Sequence, residues 1–150
     1  MEGALQAGGV SIGVLADSLE RTVRQPDLRQ LLLDGSLAFV TPYAPTAGFS
    51  VGAAMGRNKL IYGLADYAVI VSSEHETGGT WAGATEALKT RSCPLFVRDS
   101  EKAPMGNRVL LKLGAAALPE KDLAGIENLA NWFRQNVPKP QTEQDLFGRA

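Results

Sequence analysis

Four apolar runs along the chain have the pattern of buried strands. They are continuously apolar and do not alternate with polar residues, which is typical of parallel strands covered on both faces. The runs are Ser11–Asp17, Leu37–Tyr43, Tyr67–Ser73 and Pro94–Asp99. We therefore predict one strand in each of these segments.

Helical patterns separate the apolar runs, with apolar stripes, capping residues and terminal glycines. The predicted helices are Asp27–Asp34, Ser50–Ala65, Thr80–Arg91, Pro104–Leu113 and Lys121–Val137, and Glu2–Ala7 has the pattern of a helix end. Strands that alternate with helices predict an α/β layered protein with a mostly parallel sheet. We predict a single domain over residues 1–137 and a tail or linker over residues 138–150, where prolines and polar residues dominate.

Composition and charge narrow the classes of function. Lys and Arg number 15 and Asp and Glu number 16, so a surface for nucleic acid must be a local patch. The single cysteine, Cys93, excludes an internal disulfide and a cysteine-rich metal cluster, and the single histidine, His75, excludes a multi-histidine metal site. We predict no metal and no cofactor.

The start of the chain and its longest apolar runs bear on localisation. The first five residues lack the basic start and the apolar stretch of a secretory signal. No apolar run approaches the roughly 20 residues of a membrane span. With a single cysteine, this pattern suits the reducing cytoplasm. We expect a cytoplasmic protein with no membrane contact.

The turn Thr77-Gly78-Gly79-Thr80 lies between a predicted strand and a predicted helix. Glycines let backbone N–H groups approach a ligand, and a helix N-terminus favours an anion. We predict that Gly78, Gly79 and Thr80 bind a phosphate, with Thr80 also capping the helix. The alternative is a plain turn, which the acidic residues Glu74 and Glu76 just upstream would favour.

Arg57, Asn58 and Lys59 are the second candidate for phosphate binding. Arg57 offers a planar fork, Lys59 a point charge and Asn58 an amide, although three consecutive helix positions spread over about 200°. The nearby Gly52 and Gly56 indicate a close approach of another group, because glycine in a helix costs about 1 kcal/mol against alanine. The alternative is a solvated helix face. Asp17, at a predicted strand end, binds a ribose hydroxyl or caps the next helix.

The stretch from Gly56 to Lys89 resembles the core of the DNA-processing protein A family, also called DprA or Smf. The matching features, in order and spacing, are Arg57-Asn58-Lys59, Ala65-Asp66, Tyr67–Ser73 and Gly78–Ala84. Asp17-Ser18-Leu19 is similar to the Gly-Leu-Asp position of the family. The resemblance covers approximately residues 2–118.

The resemblance implies a Rossmann-like, three-layer α/β/α fold of the lysine-decarboxylase-like (LOG) superfamily. It also implies non-catalytic binding of single-stranded DNA, which is delivered to a RecA-type recombinase during natural transformation. Arg57 and Lys59 would contact the DNA backbone, and Gly78, Gly79 and Thr80 would line the ligand pocket of the family. We expect single-stranded DNA, a RecA-type recombinase and a second copy of the chain, in a homodimer, as partners.

Two motifs of the family have no counterpart here. They are the Gly-Ser-Arg of its first strand and the Ser-Gly-Gly-Ala of its second strand, and both belong upstream of Met1. We therefore expect the N-terminal strands of the fold to be missing. The chain would be a fragment, an internal-start product or a divergent short relative.

Two other functions stay open at this point. LOG phosphoribohydrolases carry a Met-x-x-Arg-Lys segment, to which Met55–Lys59 is similar, and a Pro-Gly-Gly-x-Gly-Thr-x-x-Glu motif. The second motif is not met, because Glu86 stands one position late and one helix position rotates a carboxylate by about 100°. The chain would then be a LOG-like nucleotide-binding enzyme or sensor. The third option is a partner-binding or vestigial domain that completes its sheet with another chain.

Overall fold

The computed structural model describes residues 1–137, and the chain divides into two compact units. The first extends from Met1 to Leu64 and the second begins at Ala65. The predicted tail at residues 138–150 lies outside the described residues. The single domain predicted over residues 1–137 stays a prediction.

The first unit contains four helices and a two-stranded parallel sheet. In chain order its elements are α1 (Glu2–Gln6), β1 (Ser11–Val14), α2 (Leu19–Val23), α3 (Pro26–Leu33), β2 (Leu37–Val40) and α4 (Val51–Leu64). Val14 lies opposite Val40 in the register, so the two strands reach their carboxyl ends together. The helices α2 and α3 contact β2, while α4 contacts β1.

Local chemistry explains two features of the first unit. The hydroxyl oxygen of Ser50 accepts a hydrogen bond from the backbone N–H of Ala53 at 3.0 Å, which caps the start of α4. In the sheet, Gly13 leaves room for the ring of Phe39, because a Cβ at Gly13 would lie 2.7 Å from two ring carbons. Glycine is therefore required where the neighbouring strand places an aromatic ring.

The second unit is built around a three-stranded parallel sheet. Its elements are β3 (Ala68–Ile70), α5 (Gly78–Thr90), β4 (Leu95–Asp99), α6 (Met105–Lys112), β5 (Ala116–Pro119), a 3₁₀ helix (Glu120–Gly125) and α7 (Leu129–Asn136). The strand order is β3-β4-β5, with β4 in the centre. Both α5 and α6 contact β4, and α5 buries the small residues Gly83, Ala84 and Ala87.

Aromatic residues form the core of the second unit. Phe96 on β4 and Phe133 on α7 pack with ring centroids 4.6 Å apart, and Leu118 on β5 completes the buried cluster. Tyr67 and Trp132 pack against this cluster from its edge. Burial of each large apolar side chain contributes about 1.5–3 kcal/mol, so this cluster attaches α7 to the sheet.

All four predicted strands are confirmed, each shorter than its apolar run, and the α/β class with parallel strands is confirmed. The fifth strand, β5, was not expected, because its alanines have little intrinsic strand preference. Its pairing with β4, where Phe96 lies opposite Ala116, determines its conformation.

The prediction of one helix over Lys121–Val137 is wrong. A 3₁₀ helix ends at Gly125, Ile126 is extended, and α7 begins after Asn128. The side chain of Asn128 caps α7 by accepting a hydrogen bond from the N–H of Asn131 at 2.9 Å. None of the helices within residues 1–137 combines the length and the apolar character that crossing a bilayer requires.

Candidate functional site

Arg57 lies at the carboxyl end of the sheet of the first unit. Its Nη1 donates a hydrogen bond to the carbonyl of Val14, the last residue of β1, at 2.7 Å. Its Nε donates to Oδ1 of Asn58 at 3.2 Å. These bonds use two of the five N–H donors of the guanidinium, which is half-buried and oriented by both contacts. Arg57 therefore presents a fixed cation where ligands bind in α/β sheets.

Gly56 explains how α4 approaches the loop after β2. The hydroxyl of Tyr43 donates a hydrogen bond to the carbonyl of Ala53 at 2.9 Å, and a Cβ on Gly56 would collide with that hydroxyl. The close approach indicated by this glycine is thus made by Tyr43. Within residues 1–137, no atom lies within 4 Å of a Cβ built on Gly52, so the described structure gives that glycine no such contact.

We expect the substitution Gly56→Ala to lower the free energy of unfolding by about 1–2 kcal/mol, because the methyl group displaces Tyr43 from its bond to Ala53. Urea unfolding followed by circular dichroism measures this change. Gly63→Ala in the same helix is the matched control, since its Cβ meets nothing within 4 Å. The control should gain up to about 1 kcal/mol from helix propensity. Equal effects of the two substitutions would contradict the contact with Tyr43.

Asn58 and Lys59 follow Arg57 on α4. Asn58 is half-buried and accepts the bond from Arg57, whereas Lys59 is exposed. Lys59 thus differs in environment from Arg57 and Asn58, as the helical rotation predicts. Lys59 stands on the solvent side of α4, about 200° around the helix from Arg57.

Asp17 does not cap the helix that follows it. The N-cap of α2 is Ser18, and Oδ2 of Asp17 accepts a hydrogen bond from the Ser18 hydroxyl at 3.1 Å. The capping alternative is therefore wrong, because Ser18 adopts a left-handed conformation with φ of 51° and takes the cap position itself. Ribose binding by Asp17 stays a prediction.

The glycine turn leads into α5, which begins two residues earlier than the sequence predicts. The helix begins at Gly78, its N-cap is Thr77, and Thr80 lies in the first turn, so the prediction that Thr80 caps the helix is wrong. Gly78 has φ of +78°, a conformation that favours glycine. Gly78, Gly79 and Thr80 are all exposed, and the side chain of Thr77 forms no capping hydrogen bond.

A buried amide that the motifs did not reveal holds the loop before this turn. Asn107, fully buried on α6, accepts a hydrogen bond from the N–H of Ser73 at 2.8 Å. Its Nδ2 donates to the carbonyls of Val71 at 3.1 Å and of Arg98 at 3.0 Å. Asn107 thereby joins the carboxyl ends of β3 and β4. The loop that leads to Gly78 begins at the end of β3.

Gly106, the residue before Asn107, lets α6 approach the loop that follows β3. A Cβ on Gly106 would collide with the carbonyl oxygen of Ser73 and lie 2.5 Å from that of Glu74. A glycine in the first turn of a predicted helix was the sequence signal available for this contact, because such a glycine indicates a close approach of backbone.

His75 and Cys93 are the remaining titratable residues considered from the sequence. His75 packs edge-on against Trp81, with ring centroids 5.0 Å apart. Burial raises the pKa of the Cys93 thiol above its ordinary value, which favours the protonated thiol. Within residues 1–137, no group of three or more His, Cys, Asp and Glu residues has the arrangement of a metal site.

The predicted phosphate-binding residues thus occur in both units. Arg57, Asn58 and Lys59 belong to the first, and Gly78, Gly79 and Thr80 to the second. Each group lies beyond the carboxyl ends of parallel strands, where α/β proteins bind their ligands.

Parallel strands, alternating helices and polar groups at the strand ends define a Rossmann-like α/β protein. A family model described as DNA recombination-mediator protein A matches residues 1–128. The X-ray structure of DNA processing protein A (DprA) from Streptococcus pneumoniae is similar, with a TM-score of 0.63 and 19% sequence identity. The similarity covers 85% of this chain and 46% of that one, so the chain spans less than half of that protein.

A comparison with curated proteins found no match. The family match extends over most of the chain, and the similar structure has the same fold. The chain belongs to the DNA recombination-mediator protein A family.

Proposed function

We propose that this chain is a non-catalytic recombination accessory that binds single-stranded DNA. Its membership of the DNA recombination-mediator protein A family supports this role, since the family description names recombination. The DNA would pass to a RecA-type recombinase in the cytoplasm, as in natural transformation. The near-zero net charge requires that the DNA follow a local cationic surface.

The observation that carries the proposal is the position of Arg57. The guanidinium is anchored to Val14 at the end of β1. Its three further N–H donors form no hydrogen bond within residues 1–137 and suit phosphate oxygens. Arginine forms bidentate, charge-assisted hydrogen bonds with phosphate, and an anchored side chain loses little entropy on binding. Lys59, exposed on the same helix, adds a second positive charge.

The start of α5 is the proposed second contact with the DNA backbone. Phosphate oxygens accept hydrogen bonds from backbone N–H groups in the first turn of a helix. The positive φ of Gly78 and the exposure of Gly78, Gly79 and Thr80 let a phosphate approach this turn. Glu74 and Glu76 are exposed in the preceding loop, and their negative charges oppose a phosphate that comes close to their side chains.

We expect Arg57→Ala and Lys59→Ala each to weaken binding of single-stranded DNA by about tenfold, the effect of losing one charge-assisted contact of about 1.4 kcal/mol. Each substitution should also reduce the slope of log K against log salt by about 0.7, the value for one phosphate contact on a single strand. Fluorescence anisotropy of a labelled oligothymidylate at several salt concentrations measures both quantities.

Arg29→Ala is the matched control, because Arg29 is an exposed arginine on α3 of the same unit. Arg57→Lys tests whether the planar guanidinium is needed, since lysine keeps the charge and loses the bidentate geometry. Arg57→Ala also removes the bond to Val14, so urea unfolding must accompany its binding curve. If Lys59→Ala and a folded Arg57→Ala both bind like wild type at every salt concentration, α4 is not part of the DNA site.

A homodimer is part of the proposal. A second copy would double the number of phosphate contacts along one strand, and linked sites raise the overall affinity without new contacts. Sedimentation equilibrium of the chain, with and without oligothymidylate, tests this association.

A further inference from the structure

His75 lies in the loop between β3 and α5, shortly before the glycine turn. Its ring packs against that of Trp81, with ring centroids 5.0 Å apart and ring planes at 77°. Trp81 is the fourth residue of α5, so this contact lies at the first turn of the helix. We propose that protonation of His75 raises the affinity of the start of α5 for phosphate, so that DNA binding depends on pH. This inference rests on the proposed function, in which that turn contacts the DNA backbone.

The backbone of the loop brings His75 back to the helix. Glu76 and Gly78 both have positive φ, 58° and 78°, and a left-handed conformation is uncommon for a residue such as glutamate. With these two residues the chain folds back, so that a side chain that precedes α5 contacts its first turn. The other end of the loop is held by the hydrogen bond from the N–H of Ser73 to Asn107. The imidazole is therefore kept beside the turn that the phosphate would approach.

The surroundings of His75 favour its protonated form in two ways. Its Nε2 lies 3.9 Å from Oε1 of Glu76, so a protonated imidazole pairs with this carboxylate and offsets the charge that opposes a phosphate. The Glu76 side chain is 75% exposed, so the pair alone is weak. The indole of Trp81 is the second partner, because a cation within about 6 Å of an aromatic ring is attracted by its π-electrons.

The other groups around the loop couple protonation to an anion. Glu74 is exposed on the same loop, and the first turn of α5 contains no acidic residue. The helix α6 packs against the loop, and its first charged residue, Arg108, donates to the carbonyl of Glu101. The positive end of α5 opposes a protonated His75 until an anion is bound there. Phosphate and proton therefore bind together, and each raises the affinity for the other.

The composition of the chain makes this effect separable from other titrations. His75 is the only histidine in the 150 residues, and histidine is the side chain that ordinarily changes its charge between pH 5 and 8. Burial raises the pKa of the Cys93 thiol, which moves its titration further above this range. A pH dependence that disappears when His75 is replaced is therefore assigned to this one imidazole.

The test measures binding of a labelled oligothymidylate to full-length chains at about pH 6 and about pH 8, by fluorescence anisotropy at one salt concentration. We expect wild type to bind about threefold more tightly at the lower pH, the effect of one unit charge about 6 Å from another in water. His75→Gln should bind at both pH values as wild type does at the higher one. Glu76→Gln should bind more tightly than wild type at the higher pH. Glu127→Gln, an exposed glutamate before α7, is the matched control and should behave like wild type.

Tryptophan fluorescence of the chain without DNA is the second readout. A protonated imidazole in contact with an indole quenches its emission, so wild type should show a titration between pH 8 and 5 that His75→Gln lacks. Urea unfolding confirms that each variant is folded.

The outcomes separate this inference from the proposed function. If wild type binds the oligonucleotide equally well at both pH values, or if His75→Gln keeps the pH dependence, the role of His75 is refuted while DNA binding by the chain stands. A fluorescence titration that is the same in wild type and His75→Gln would also refute it, because the imidazole would not then be protonated beside Trp81. If wild type does not bind the oligonucleotide at either pH, both proposals fail.

Discussion

Replacing Gly106 by alanine should lower the free energy of unfolding by about 3 kcal/mol, at the upper end of the range for overpacking. The new methyl group would collide with the carbonyl oxygen of Ser73 and approach that of Glu74, and neither is the end of a flexible side chain. The helix α6 must therefore move away from the loop. This movement also lengthens the hydrogen bond from the N–H of Ser73 to Asn107.

Gly52→Ala is the control for this substitution, because Gly52 is also the second residue of its helix and a Cβ there meets nothing within 4 Å. Urea unfolding of both variants gives the comparison. The control should be neutral or slightly more stable, since alanine is the better helix former. If the Gly106→Ala variant is as stable as the control, the loop moves away at no cost in the free energy of unfolding, and the close packing does not contribute to stability.

Replacing Asn107 by alanine should also cost about 3 kcal/mol. Three hydrogen bonds are lost, each worth a net of about 1 kcal/mol, in a position that water does not reach. The N–H of Ser73 and the carbonyl of Arg98 lose this partner inside the protein. Val71 is less affected, because its carbonyl also accepts a hydrogen bond from Nε of Arg98 at 2.9 Å.

Arg108→Ala is the control for Asn107, since it removes the neighbouring polar side chain. That side chain is exposed and, within residues 1–137, bonds only to the carbonyl of Glu101. Its effect should stay within about 0.5 kcal/mol. The double variant of Gly106 and Asn107 should cost clearly less than the sum of the two, because both substitutions break the same contact. Additive effects would mean that the glycine and the amide act separately.

These two residues connect stability to the proposed function. The loop that they hold starts at Val71 and leads to the glycine turn at Gly78. Backbone donors bind an anion well only when their positions are set before the ligand arrives. Variants that loosen α6 should therefore weaken DNA binding through this loop, without any change in the cationic side chains.

The apolar runs and the glycine-rich turn were enough to predict the α/β class, the four strands and the helix after Gly78. Each of these features depends on residues close together in the chain, as in the four-residue run of β1 at Ser11–Val14. The boundaries were less accurate, because pairing partners determine where a strand ends. The 3₁₀ helix at Glu120–Gly125 was missed because the apolar residues of Lys121–Val137 keep a helical spacing across the break at Ile126.

Contacts between distant segments decided the rest. The bond from Arg57 to Val14 spans 43 positions, and that from Asn107 to Ser73 spans 34. No local pattern encodes such a pair, because hydrophobic periodicity reports which residues are buried and not which polar groups meet. Local side-chain chemistry therefore determined the secondary structure and the candidate cations of this protein. Only the packing of helices on the sheets decided how those cations are oriented and which glycines and amides support them.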